Sequence, residues 1–230
     1  MRLDALLSRY GYCSRREAPG WIKRHSITFK GEPCSAPTDK VQAEGILLDG
    51  EPVVFPDGLY AALYKPAGYT CSHDDGEGDV IYDLLPFQWR HRNPAVSSVG
   101  RLDKETSGLL LITDDGKFIH RMTSPRHHVA KVYEAVTEED IPAEAVELFA
   151  SGTFMLNGED RPCAPAVLEI LEPRRARLTL TEGKYHQVRR MLAAVGAPVA
   201  SLCRISIGSL HLDSLNLEPG EWMPIRPDAL

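Results

Sequence analysis

Cysteine is scarce in this chain, and its spacing excludes two architectures. The five cysteines in 230 residues include no Cys-x-x-Cys pair. That odd number argues against both a disulfide framework and a zinc site, and fits free thiols in a reducing cytoplasm. Long apolar runs are missing as well. The longest, around Leu109 to Ile112, is far short of the ~20 residues that cross a bilayer, so no membrane contact is expected. The opening Met-Arg-Leu-Asp places an acid at the fourth position and has no sustained apolar stretch, so a signal peptide is not expected either. Neither a phosphate-cradling loop nor a dinucleotide fingerprint occurs, and no cofactor is expected. No internal repeat or low-complexity tract appears.

The composition that remains is that of a globular protein, 43% apolar and 25% charged. The length suits one large domain, or a small one joined to a medium one. Net charge is −6, which does not advertise a nucleic-acid binder, but its distribution is uneven. Residues 1–30 hold seven basic groups (Arg2, Arg9, Arg15, Arg16, Lys23, Arg24 and Lys30) against Asp4 and Glu17. A basic head on an acidic body is compatible with docking on a polyanion through one face. It is equally compatible with an ordinary solvated helical surface.

Spacing gives the elements. Leu3, Leu6 and Leu7 predict a helix from Arg2 to Tyr10, ended by Gly11. Ser14 and Glu17 form a capping box that starts a second helix toward Arg24. Pro19 and Gly20 then fall past its first turn, which predicts a distortion or an early break. Ile27 to Gly31 and Ile46 to Val54 read as strands. Phe55-Pro56-Asp57-Gly58 is a turn-rich linker, which divides the chain into residues 1–57 and 58–230. Beyond it, Val129 to Val136, Ala166 to Leu171 and Arg177 to Thr181 are strand-like, the last two pairing antiparallel. Ile141 to Ala150 and His186 to Val195 read as helices, with Pro142 suited to a first turn. The fold class is α+β, with a mixed, mainly antiparallel sheet and flanking helices.

The segment Gly100-Arg101-Leu102-Asp103-Lys104-Glu105-Thr106-Ser107-Gly108-Leu109-Leu110-Leu111 holds one carboxylate, Asp103, in a polar turn between two apolar runs. A rigid scaffold positions a reacting group in this way, although Asp-Lys-Glu-Thr-Ser-Gly is also a good generic turn. This segment resembles the signature G-R-L-D-x-x-T-S/T-G-L-L-L of the pseudouridine synthases. Three further motifs follow in the family's order: Tyr64-Lys65-Pro66-Ala67-Gly68-Tyr69, Lys131-Val132-Tyr133, and Glu182-Gly183-Lys184-Tyr185-His186-Gln187-Val188-Arg189-Arg190-Met191. The resemblance runs from about residue 60 to the C-terminus. The first 57 residues are similar, more weakly, to an S4 RNA-binding domain, whose usual G-x-V-x-V-N-G strand is here the degenerate Ser26-Ile27-Thr28-Phe29-Lys30-Gly31.

The resemblance implies the site. Asp103 is the catalytic carboxylate that acts at the ribose. Arg189 is the cation that keeps it ionised in a site partly closed to water. Tyr133 stacks on the uracil flipped out of its RNA, and its hydroxyl is placed to assist loss of the C5 proton. Arg101 fills the gap left by the flipped base. Lys65, Arg190, Arg126, His127 and His128 become backbone-phosphate contacts, joined by Arg2, Arg15, Arg16, Lys23 and Arg24 on the S4-like head. His127 and His128 are adjacent on an extended segment and point apart, so they make poor metal co-ligands. The acidic stretch His73-Asp74-Asp75 with Glu77 and Asp79 lacks the spacing of a calcium loop. No metal is expected.

Within the family, the lone S4 head, Ser124-Pro125-Arg126-His127-His128 and Cys163-Ala164-Pro165-Ala166-Val167-Leu168 look most like the small-subunit branch. That branch modifies uridine 516 of 16S rRNA. Relatives sharing these motifs act on 23S rRNA. Two other classes stay open: a non-catalytic S4-type RNA-binding or assembly protein, and a glycosidase, which needs a second placed acid. The expected partner is 16S rRNA within a 30S assembly intermediate, bound by a monomer in the cytoplasm.

Overall fold

The computed structural model describes residues 1–55, 57–74, 76 and 78–229. Pro56 of the expected linker, and Asp75 and Glu77 of the acidic stretch, therefore lie outside the described residues. The N-terminal part packs helices α1 (Leu3–Arg9) and α2 (Ala18–Ile22) on a small sheet made of β1 (Ile27–Phe29), β2 (Glu32–Pro33), β3 (Ile46–Leu48) and β4 (Glu51–Pro52). Its strand order is β2-β1-β3-β4. Leu3, Leu6, Leu7, Ile22, Ile27 and Ile46 form its core. A fully buried side chain of this size contributes about 1.5–3 kcal/mol, and these six belong to one apolar cluster within the N-terminal part.

Two expectations change here. Pro19 does not interrupt α2, because the helix begins only at Ala18 and proline falls in its first turn, where no backbone bond is lost. The Ser14–Glu17 box is real, with Glu17 accepting from the Ser14 backbone at 3.0 Å, but it holds the turn ahead of the helix. The strand expected from Ile46 to Val54 is a hairpin. Asp49 and Gly50, at φ +53° and +89°, are the two-residue turn that joins β3 to β4.

The larger part is built on β5 (Tyr60–Lys65), β6 (Ser97–Ser98), β7 (Thr106–Thr113), β8 (Lys131–Thr137), β9 (Val167–Glu172), β10 (Arg175–Leu180), β11 (Val199–Ile207), β12 (Leu210–His211) and β13 (Trp222–Pro224). The main path runs β13-β5-β7-β11-β8-β10-β9, with β6 beside β7 and β12 beside β11. Among these strands, β7 and β11 pair in parallel and every other described pairing is antiparallel. This is the mixed, mainly antiparallel sheet expected, and β9 and β10 form the expected hairpin. Helix α3 (Phe87–Arg90) lies between β5 and β6 in the chain, and α4 (Gly116–Thr123) follows β7. Helices α5 (Ala145–Ala150) and α6 (Gln187–Ala194) flank the β9–β10 hairpin in sequence. The first of these is shorter than its pattern suggests. Pro142 sits in a preceding turn, with its carbonyl taken by the Ala145 N–H at 3.0 Å.

One face of the sheet carries two apolar clusters. Leu59, Leu63, Ile81, Trp89, Leu102 and Leu110 make the first, and Phe149, Leu178, Met191 and Leu192 belong to the second. Tyr133 packs against both and so lies between them. The opposite face is closed by Phe118, Met122, Ile207 and Leu212. At the junction with the N-terminal part, the buried Arg92 pairs with Asp114 at 2.8 Å and donates to the carbonyls of Val54 and Phe55.

Candidate active site

Four residues remote in sequence share one row across the sheet: Lys65 on β5 faces Gly108 on β7, Gly108 faces Arg204 on β11, and Arg204 faces Tyr133 on β8. Directly opposed residues project to the same face, so two cations and one aromatic ring are set side by side. Gly108 makes this possible. It sits at φ +112°, and a β-carbon there would run into the backbone of Arg204.

Asp103 lies on the loop that leads into β7, and its side chain is 31% exposed. The carbonyls that follow it are held from two sides. Lys65 is fully buried, and its ammonium donates to Pro66 O at 3.0 Å, Lys104 O at 3.0 Å and Thr106 O at 2.7 Å. Burial pushes this ammonium below the ordinary lysine range, against the pull of Cys71, Glu105 and Asp103. From the α6 side, Arg189 donates to Glu105 O at 3.0 Å and reaches Thr106 Oγ1 at 3.5 Å. Three consecutive carbonyls, 104 to 106, are thus fixed by two cations. The carboxylate is aimed by its backbone.

The structure corrects several expected roles. No ion pair between Arg189 and Asp103 occurs among the described contacts, because carbonyls at 105 and 199 draw the guanidinium away. The group beside the carboxylate is His186, with Nε2 3.3 Å from Oδ1. Lys65 is not placed for the phosphate contact expected of it, since it is buried and its three protons are all used internally. Arg190 is also internal: it pairs with Glu159 at 2.7 Å and donates to the carbonyls of Tyr185 and Asn157. Its bond, with that of Lys184, holds the Glu159 carboxyl below its usual range. Arg2 and Arg15 keep exposed heads, yet both converge on the buried Asp4 at 3.0 and 3.3 Å. Arg101, Arg126, Arg16, Lys23, Arg24, His127 and His128 are exposed, and of these Arg101 lies nearest Asp103 in the chain.

Tyr133 is half-buried, and its hydroxyl is 3.5 Å from Nη1 of Arg204. Sequence reading misses Arg204, as it assigns no element to 199–207. The available signal is a charge inside the alternating run Leu202-Cys203-Arg204-Ile205-Ser206-Ile207. It also misses the part played by His186, although the residue stands within a quoted motif. Most of that motif is scaffold. Glu182 accepts from Ala164 N at 2.9 Å and from Gln187 Nε2 at 2.7 Å, while Gln187 accepts from Lys184 N at 2.8 Å. These bonds fix the turn in which His186, at φ +48°, precedes α6 at its N-cap position and meets Asp103. Lys131 adds a further half-buried cation. Burial lowers its pKa from the ordinary lysine value, and nearby Arg204 lowers it again.

A 440 Å³ groove opens on the other face of the sheet, lined by Tyr64, Glu134 and Cys203 among others. Its acid, Glu134, is already bonded to Arg175 and Arg177, and it contains none of the candidate catalytic residues. The Asp103 side instead carries a fixed carboxylate, an imidazole and an aromatic ring backed by cations, groups of the kind that suit attack at a sugar carbon and the holding of a flat base. No group of three or more His, Cys, Asp or Glu that could hold a metal ion occurs among the described residues.

A family model described as RNA pseudouridylate synthase matches residues 59–194. The chain is 39% identical over 232 residues to ribosomal small subunit pseudouridine synthase A of Pasteurella multocida (strain Pm70), covering 100% of this chain and 98% of that one. It is also 39% identical over 234 residues to the protein of the same name in Escherichia coli (strain K12), with the same coverage. A solved structure described as a crystal structure of pseudouridylate synthase superposes with a TM-score of 0.68 at 36% identity, covering 99% of this chain and 97% of that one.

Proposed function

The chain belongs to the RNA pseudouridylate synthase family, and from that premise we propose that it isomerises one uridine of 16S rRNA, position 516, using Asp103 as the reacting carboxylate. The observation that carries the assignment is the Asp103 loop itself. Its carbonyls are pinned by Lys65 and Arg189, while its carboxylate stays partly open beside His186.

The reaction breaks the bond from ribose C1′ to uracil N1 and makes one from C1′ to C5. N1 keeps the bonding pair as the base leaves, C5 then supplies a pair to C1′, the C5 proton departs and N1 takes one up. Atoms and electrons balance without an outside oxidant or energy source. Asp103 supports the sugar while the base is free, and His186 stands beside its carboxylate, with Nε2 3.3 Å from Oδ1. Tyr133 offers a face on which the flipped uracil stacks, offsetting an unstacking cost of a few kcal/mol. Holding both fragments in place turns the second bond-forming step into an intramolecular one.

Residues 1–57 serve as an S4-type head. Support comes from their own core and sheet, from the exposed Arg16, Lys23 and Arg24, and from Trp21 stacked on His25 at 3.8 Å between ring centres. A head and a pocket gripping one RNA raise the effective affinity, which favours a folded 30S assembly intermediate in the cytoplasm, engaged by a monomer. No helix among the described residues is long and apolar enough to cross a membrane. The deciding experiment incubates the protein with 16S rRNA, 30S particles and 23S rRNA and maps pseudouridine at single-nucleotide resolution. One new site in 16S rRNA, made fastest on particles, is expected. A site in 23S rRNA alone would overturn the substrate, and no site in any RNA would overturn the activity.

A further inference from the structure

Arg204 carries a charge that has no counterion among the described residues. It is 2% exposed. Its Nε donates to Leu109 O at 2.8 Å, its Nη1 is 3.5 Å from the Tyr133 hydroxyl, and its Nη2 is a buried donor with no hydrogen-bond partner among the described residues. No acidic side chain pairs with it in any described salt bridge. Lys65 and Lys131 add positive charge nearby rather than relieving it. A buried cation in this state costs several kcal/mol unless something compensates. Capping the Leu109 carbonyl requires only a neutral donor, so that bond does not account for the charge.

We propose that Arg204 is a positioning residue that stabilises the detached uracil as an anion while the base turns between its two attachments to the ribose. This rests on the pseudouridine-forming reading above. When the C1′–N1 bond breaks, the bonding pair stays on the base, which carries a negative charge until C5 bonds to C1′. The base must reorient in that interval. Directional hydrogen bonds to its carbonyls cannot follow it round, whereas a cation behind the stacking ring attracts the anion at every angle. The Arg204 guanidinium carbon lies 5.9 Å from the centre of the Tyr133 ring. A base stacked on the far face of that ring would be about 10 Å from the charge, given ~4.5 Å between stacked rings. At an effective dielectric near 20, that separation corresponds to roughly a 15-fold effect on rate. The charge is fixed in place, so no reorganisation is needed as the anion forms.

Three variants separate the charge from the bond: Arg204→Gln can still donate to the Leu109 carbonyl but is neutral, Arg204→Lys keeps the charge, and Arg204→Met has neither. Single-turnover rates, RNA affinity and urea melts are measured on 30S particles beside the wild-type protein and Asp103→Asn. The Gln variant should fold, bind RNA within about twofold of wild type and react roughly 15-fold more slowly, and the Lys variant should recover most of the rate. Should Met not fold, Gln and Lys alone decide the matter. A Gln variant as fast as wild type, or a Lys variant as slow as Gln, overturns the role given to the charge. If the wild-type protein itself forms no pseudouridine, the underlying activity fails and this role fails with it.

Discussion

Lys65→Met is the substitution on which the sequence and the structure disagree most sharply. A phosphate contact at the surface would be lost with little effect on stability. The salt dependence of RNA binding would then flatten by about one unit of log–log slope. The buried ammonium seen here predicts the reverse. Methionine matches the side chain in length but leaves the carbonyls of Pro66 and Thr106 without their described side-chain donor, while Lys104 O keeps the Gly68 N–H at 2.8 Å. Each lost charge-assisted bond is worth about 1.5–3 kcal/mol, and removing a desolvated cation returns part of that. The net loss should be ~3 kcal/mol, or roughly 6–12 °C in Tm for a domain of this size. The Asp103 loop is then free to shift, and a displacement near 1 Å can lower turnover by about 100-fold. Urea melts, single-turnover rates and a salt titration of RNA affinity test all three effects. Unchanged stability together with a flatter salt slope would refute the pinning role and restore the phosphate contact.

Gly108→Ala should destabilise by more than ~4 kcal/mol, because the new methyl group meets the Arg204 backbone at a φ of +112°; a urea midpoint close to wild type would contradict the close strand approach. Arg190→Ala should lower Tm and leave the salt slope of RNA binding alone, since its partners are Glu159 and two carbonyls. The exposed Arg126→Ala should do the opposite, and exchanged results would mean that Arg190 leaves its internal site to grip RNA. Tyr133→Phe should bind RNA more tightly than Tyr133→Ala, by about 1–3 kcal/mol of lost stacking, with both slow in turnover. Equal binding by the two would make the ring core packing and nothing more.

What was legible in the sequence follows the range over which each interaction acts. Helix α1, the β9–β10 hairpin and α6 depend on neighbours three or four places apart, or on a tight turn, and local spacing reveals them. The placing of Asp103 on a loop between apolar runs is equally local. The row formed by Lys65, Gly108, Arg204 and Tyr133 joins four strands far apart in the chain, and no periodic pattern encodes it. A sequence shows that Lys65 and Arg190 are charged, not that one is sealed inside and the other bonded to Glu159. For the same reason the family resemblance pairs Asp103 with Arg189, whereas in the fold that guanidinium lies on main-chain carbonyls and His186 stands beside the carboxylate. Pro19 and Asp49-Gly50 are different, because their signals are local. Proline is at home in a first turn, and Asp-Gly is a strong hairpin pair. The errors there lie in where α2 begins and where β3 ends.

The most direct measurement is made in cells that lack the gene, complemented with either the wild-type chain or Asp103→Asn. Pseudouridine is then mapped across 16S and 23S rRNA. The substitution is nearly isosteric and removes the carboxylate charge and nucleophilicity, so it should leave protein level and RNA affinity close to wild type. One 16S pseudouridine should vanish on deletion, return with the wild-type chain and stay absent with Asp103→Asn. Its return with Asp103→Asn at wild-type rate would contradict the catalytic role of this carboxylate.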